Sequence, residues 1–232
     1  MKTRVDPEQP GVETAPAVEP VWCRDRTGRP IGFSEFTEMA RTFHGYPAPG
    51  LVLGGPMVEL ARRGLPAGTL FDAVSETPKC LPDAVQILTP CTAGNGWLKI
   101  LDLGRYAVIL YDKYSGAGRR VYIDPAALDA WPEIRIWFFV LKPKKEQDTG
   151  RLMAEIREAG TSILGVRRVR LRPEYLEKRH MSPYAVCPAC KEAYPRRQGP
   201  ACRACAEGAP YLEDAAAGFP DPHSAIPDGG DP

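Results

Sequence analysis

Two groups of residues in this chain have types and spacings suited to chemistry. The first is Cys187-Pro-Ala-Cys190 and Cys202-Arg-Ala-Cys205, two C-x-x-C pairs with eleven residues between them. Each pair belongs on a tight turn, and four thiolates so placed can surround one Zn²⁺ tetrahedrally, with Zn–S near ~2.3 Å. Four sulfurs close the coordination shell, so the spacing predicts a structural zinc that also folds a module too small to bury a core. An iron–sulfur cluster is the alternative metal; a redox C-x-x-C needs neither the second pair nor this spacing. The second group is His44, Cys80 and Cys91. One imidazole and two thiolates make a workable zinc set with a position left open for water or substrate. The plain alternative is packing, because free cysteines are among the most buried residue types.

Several elements must position that second group. Cys80 follows a breaker at Pro78, and Asp83-Ala-Val-Gln-Ile-Leu reads as a short helix with Ala84, Val85 and Leu88 on its apolar side. Cys80 is then expected near a helix N-terminus, where the dipole lowers a thiol's pKa. Pro90 ends the helix, and Cys91-Thr-Ala-Gly-Asn-Gly follows as a turn. His44 is expected at the end of a helix capped by Ser34 and stopped at Gly45, with Phe36, Met39, Ala40 and Phe43 at helical spacing. In the next helix Gly50, Gly54 and Gly55 predict close packing, with a ligand beneath the helix N-terminus as the functional alternative. Leu70–Glu76 reads as a buried strand, and the runs 97–102, 106–112 and 119–124 as an antiparallel meander. Asp124-Pro caps a further turn, 147–159 is helical, and Val166–Leu171 is a basic strand followed by Lys178-Arg-His180. The expected class is α+β, a mixed, mainly antiparallel five-stranded sheet flanked by helices, with a small C-terminal zinc-finger domain.

The chain's 232 residues hold 30 Lys+Arg against 29 Asp+Glu. That balance gives no excess charge to draw the molecule to nucleic acid or a membrane, and the basic strand reads as a charge-protected edge. No apolar run approaches the ~20 residues of a membrane span, and Ile134–Leu141 is strand or short-helix length. The N-terminus lacks a signal peptide's apolar core, and four of the seven cysteines pair as metal ligands, so a reducing cytoplasm is expected. Residues 1–20 and 214–232 read as tails, 21–180 as the core domain and 181–213 as the finger.

His44-Gly45, Pro49-Gly50 with Gly54, Cys80-x-x-Asp83-Ala-x-Gln86 and Thr89-x-Cys91-Thr92-x-Gly94-Asn95-Gly96, followed by the strand pair and the four-cysteine finger, resemble the FmdE family of formylmethanofuran dehydrogenase. The resemblance covers roughly residues 35–210. It implies a thioredoxin-like α+β core, a treble-clef zinc finger, and a metal-binding site where the His-Gly segment meets the two cysteines. It also implies an association with molybdenum or tungsten enzymes of one-carbon metabolism in anaerobes. The family commonly has His-Gly-His-x-Cys-Pro-Gly where this chain has His44-Gly-Tyr46-Pro-Ala48-Pro49-Gly50, so an imidazole and a thiol are replaced. Cys23 is a possible substitute thiol, though a lone buried role suits it better.

Four functions follow. The preferred one is a metal-binding accessory protein with a structural zinc finger and a partial core metal site, serving a molybdenum or tungsten enzyme or its maturation system, and forming a homodimer through the aromatic Trp131–Phe139 region. The second is a zinc enzyme using His44, Cys80 and Cys91, with Lys79, Asp83, Tyr46 or Asn95 as proton donors or acceptors and with Tyr46, Lys79 and Asn95 as cofactor-binding residues. A thiol redox protein with a Cys80–Cys91 disulfide is the third. A nucleic-acid or protein binding module is the fourth.

Overall fold

The structure, a computed structural model, describes residues 19–177 and 182–211. Lys178-Arg-His180, most of both tails and the domain boundary near residue 180 lie outside the described residues. The chain divides into two compact units, Met1–Glu177 and Lys178–Pro232.

The first unit opens with a short antiparallel pair, β1 (Cys23–Arg24) and β2 (Pro30–Ile31), then α1 (Phe33–His44) and α2 (Pro49–Arg63). β3 (Phe71–Ser75), α3 (Leu81–Leu88), β4 (Leu98–Ile100), β5 (Ala107–Asp112) and β6 (Ala117–Ile123) follow. α4 (Pro132–Phe138), α5 (Thr149–Ala159) and β7 (Leu164–Arg170) complete it. The five-stranded sheet has the order β4-β3-β5-β6-β7, antiparallel except for the β3–β4 pair. This is the mixed, mainly antiparallel sheet of the expected class. The meander differs in membership: β5, β6 and β7 form it, while β4 lies parallel to β3 on the opposite edge. The reason is α3, which carries the chain across the sheet between β3 and β4 and returns it in the same direction.

Ala73, Val108, Leu110, Val121 and Ile123 turn one sheet face toward the helices and join the main core with residues of α1 to α5. Val74, Ile109 and Tyr111 on the other face form a smaller cluster with Leu101, Val169, Leu171 and Leu176. α2 is the central helix, with eleven buried residues among its 15, and its glycines explain how neighbours come so close. A Cβ at Gly54 would run into the Cβ of Ala84 on α3, and one at Gly55 would lie 2.8 Å from Phe36 and 2.9 Å from the Trp22 indole nitrogen.

One local expectation is corrected and one alternative is resolved. Ser34 does not cap α1: the N-cap is Gly32, and the carboxylate of Glu19 accepts both the Ser34 backbone N–H (2.9 Å) and its hydroxyl (2.7 Å) while pairing with Arg157 at 2.7 Å. A distant carboxylate thus replaces the local cap and ties the end of the N-terminal segment to the core. The apolar run at 134–141 is helical through α4 because Pro132 sits in its first turn, and Ile134 is its buried anchor.

The second unit has an antiparallel pair, β8 (Tyr184–Val186) and β9 (Ala193–Pro195), and the five-residue α6 (Arg203–Glu207). Cys187 and Cys190 occupy the β8–β9 turn, closed by Cys187 N–H to the Glu192 carbonyl (2.8 Å) and Lys191 N–H to the Cys187 carbonyl (3.0 Å). Cys202 is the N-cap of α6 and Cys205 lies within it.

Candidate functional site

The four finger thiols converge: their sulfurs all lie within 4.8 Å of one another, the one such His/Cys/Asp/Glu group of three or more among the described residues. Cys190 Sγ and Cys202 Sγ are 3.7 Å apart. A tetrahedron of sulfurs at zinc–thiolate distance has edges of ~3.8 Å, so the spacing fits Zn²⁺. The protonation chemistry fits as well. Backbone N–H groups of Cys202 and Cys190 aimed at the Cys187 sulfur lower its pKa to about 6, while the neighbouring thiols of Cys202 and Cys190 push Cys205 up to about 12. Four thiolates so crowded need a cation among them.

The core site is built where α1 ends and where α2 and α3 begin. Cys80, the N-cap of α3, has φ 54° and ψ −47°, a left-handed conformation uncommon for a residue with a side chain. Leu81 N–H donates back to the Lys79 carbonyl at 2.5 Å, which makes Lys79-Cys80-Leu81 the rare, strained form of γ-turn. The turn aims the Cys80 sulfur at α2, where the Leu51 backbone N–H favours its thiolate. Neither α2 nor α3 has a side-chain cap, and Cys80 lies where the two helix starts meet. Its pKa is nevertheless raised: burial and then the Asp83 carboxylate outweigh the Leu51 N–H and the positive charges of Lys144 and Lys79. The expectation of a lowered pKa fails because the site is drier than an exposed helix start.

His44, at the last position of α1, places its Nδ1 2.6 Å from Asp83 Oδ2. Gln86 Nε2 reaches the other Asp83 oxygen at 3.5 Å. The carboxylate therefore orients the imidazole and leaves Nε2 as the atom able to meet a ligand. Tyr46 lies beside the imidazole with ring centroids 5.0 Å apart and is 49% exposed, while Lys144 Nζ stands 5.6 Å from its centroid. Beneath the thiol lies Tyr106, the residue before β5. Its hydroxyl oxygen is buried with no hydrogen-bond partner among the described residues, and its pKa is pushed well up by burial and by the nearby Cys80 and Asp83. Gly50 makes room for that hydroxyl: a Cβ there would collide with it and lie 3.3 Å from the Cys80 Cβ.

Sequence reasoning missed Tyr106, which belongs to no motif and is marked only by the glycine it packs against. Asp83, expected as a helper, is in the structure the partner of His44. Cys91 is a correction. It follows the far end of α3 from Cys80, and a helix of eight residues spans ~12 Å. Its buried thiol donates to the Phe71 carbonyl at 3.5 Å, and burial raises its pKa to about 11. His44, Cys80 and Cys91 therefore form no common ligand set. A Cys80–Cys91 disulfide fails for the same reason, since it needs Cα atoms within ~7 Å. Cys23 is buried in β1 near Glu59 and Arg62, with its pKa raised to about 12 chiefly by burial. Asn95, which is exposed, holds the turn after Cys91: its Oδ1 accepts the Thr92 and Trp97 N–H groups and its Nδ2 donates to the Pro90 carbonyl.

The family described as FmdE, molybdenum formylmethanofuran dehydrogenase operon, matches residues 43–171, more than half of the chain and all of the core site. The chain belongs to the FmdE family. The FmdE treble clef zinc finger matches residues 178–212, so the converging thiols are those of a treble clef. The crystal structure of a tungsten formylmethanofuran dehydrogenase FmdE-like protein from Syntrophus aciditrophicus is 50% identical, with a TM-score of 0.74, over 82% of this chain and 99% of that one. A probable S-adenosyl-L-methionine-binding protein of Archaeoglobus fulgidus is 29% identical over 155 residues, 60% of this chain. This chain spans 41% of the length of that relative.

Proposed function

We propose that this FmdE protein is a cytoplasmic accessory protein of molybdenum- or tungsten-dependent one-carbon metabolism. Its finger is held by a structural zinc, and its core site binds a small ligand and delivers it to, or senses it for, a partner enzyme. The observation that carries the reading is the strained Cys80 γ-turn, which joins two uncapped helix starts beside the Asp83-oriented His44. Strain of this kind costs on the order of 1–3 kcal/mol and persists where a site uses it. The metabolic setting is supported by the family's description and by the tungsten-associated relative. A closed core metal centre is not part of the reading: Tyr46 and Ala48 replace ligands common in the family, Cys91 is remote, and only His44 and Cys80 remain to hold a metal.

The similarity to a probable S-adenosyl-L-methionine-binding protein supports one ligand class. The exposed Tyr46 ring, which already draws the Lys144 ammonium, suits a sulfonium cation, and the helix starts suit a carboxylate. Calorimetric titration with S-adenosylmethionine tests this, with loss of binding expected in Tyr46→Ala and Cys80→Ser. Metal content of anaerobically purified protein tests the rest. One zinc per chain is expected, retained in Cys80→Ala and lost in Cys190→Ala. A second metal that disappears in Cys80→Ala would replace the small-ligand reading with a metal-centre one.

A further inference from the structure

β7 ends the sheet, with β6 on one side and no strand on the other among the described residues. It carries Arg167, Arg168 and Arg170, all exposed, and Arg172 lies just beyond it. In the β6–β7 register Arg120 stands opposite Arg167 and Arg119 opposite Arg168. Like charges directly across a ladder cost stability. Only the first pair has local compensation: Glu76 takes Arg120 through two 2.7 Å hydrogen bonds, and both guanidinium groups lie over the Tyr122 ring at 5.1 and 5.0 Å. No ion pair among the described residues involves Arg119, Arg167, Arg168, Arg170 or Arg172.

The geometry of the strand says what such an edge can take. Side chains alternate across a sheet, so Arg167 shares the face of Tyr122, and Arg168 and Arg170 share the face covered by the helices. Ladder bonds beside β7 involve odd-numbered residues, from Leu171 N–H to the Gly116 carbonyl and from Asp124 N–H to the Ile163 carbonyl. By the alternation of an antiparallel ladder, the N–H and C=O groups of Val166, Arg168 and Arg170 point away from the sheet. The free edge is thus a row of backbone donors and acceptors flanked by guanidinium groups on both faces. We propose that β7 is the docking edge for an acidic, extended segment of a partner protein, which adds to the sheet as a sixth strand. Main-chain hydrogen bonds hold the segment, and carboxylates at successive positions reach Arg167 on one face and Arg168 and Arg170 on the other. A second copy of β7 would set arginine against arginine. A nucleic-acid backbone supplies no ladder bonds and engages one face. Protection against aggregation explains single edge charges, but not arginines kept opposite arginines.

The test uses the full chain and fluorescence anisotropy with three labelled probes: a short peptide of Glu-Glu pairs separated by Val and Thr, its Lys-for-Glu counterpart, and a poly-dT oligonucleotide. The acidic peptide should bind and its lysine counterpart should not. Arg167→Gln with Arg168→Gln should weaken binding about tenfold or more. Arg168→Pro removes the guanidinium, as Arg168→Gln does, and an outward N–H besides, so it should weaken binding beyond Arg168→Gln. An acidic peptide N-methylated at alternate backbone nitrogens, which leaves the protein untouched, should lose binding as well. Equal binding of the methylated and plain peptides would overturn strand addition. Oligonucleotide binding as tight as the peptide's and lost in the same variants would make the edge a nucleic-acid surface, and no binding of any probe would leave the arginines as edge protection.

Discussion

Cys80 shows how one residue can carry opposed influences. The α2 amide, Lys144 and Lys79 favour its thiolate, yet burial and Asp83 win and its pKa is raised above the ordinary thiol value. At neutral pH the protonated form therefore dominates, and the thiolate appears only above the ordinary thiol range. Iodoacetamide labelling followed by peptide mapping should find Cys80 slower than a free cysteine peptide at pH 7.5, with a rate still climbing above pH 9. Labelling faster than the peptide at pH 7.5 would mean that the helix starts dominate after all. The glycine beneath it makes a second prediction. A Cβ at Gly50 meets the Tyr106 hydroxyl and the Cys80 Cβ in a fully packed region, and overpacking of this kind costs about 1–3 kcal/mol. Gly50→Ala should lower the urea midpoint, and adding Tyr106→Phe, which deletes the clashing oxygen, should recover part of the loss. Additive losses in the double mutant would show that the hydroxyl is not what Gly50 accommodates.

At the scale of elements, the finger is the piece whose fold depends on its metal. Its two strands have three residues each and α6 has five, too little to bury a core, so zinc binding supplies the folding free energy. Chelation, or Cys190→Ala, should collapse the hydrogen-exchange protection of residues 184–207 and leave that of β3, β5 and β6 in place. A simultaneous loss in both units would sink the idea of a finger that folds by its metal alone. The finger was legible in the sequence because C-x-x-C spacing is local: both pairs bring their sulfurs together across single turns. The core site was legible only in part. His44 and Cys80 were placed at the correct helix ends by Gly45 and Pro78, but the partnership of His44 with Asp83 is a contact between α1 and α3, and no periodicity reports it. Cys91 misled because a motif in sequence order says nothing about which end of an eight-residue helix faces the site. The place of β4 was hidden for a similar reason, since an alternating run signals a strand but not its neighbour.

Taken as a whole, the core unit stores several ionisable side chains in neutral form, and that sets its response to pH. Burial raises Cys23 to about 12 and Cys91 to about 11, and raises the hydroxyls of Tyr106 and Tyr111 as well. Each group is protonated in the folded state at neutral pH and gives up its proton more easily once unfolded, where a thiol titrates near ~8.5. Their contribution to stability is complete below that unfolded value, and it falls as the pH rises toward the folded values, because only the unfolded chain gains by ionising. The urea midpoint should accordingly hold between pH 7 and 8 and decline steadily from about pH 9. Cys91→Ala should lower the midpoint at pH 7, because it empties a buried position, and should flatten the decline above pH 9, because one of the titrating groups has gone. A variant with the same alkaline slope as the wild type would show that Cys91 is not among the groups that set it. The alkaline limit would then rest on Cys23 and the two tyrosines, which the corresponding experiment on Cys23→Ala separates.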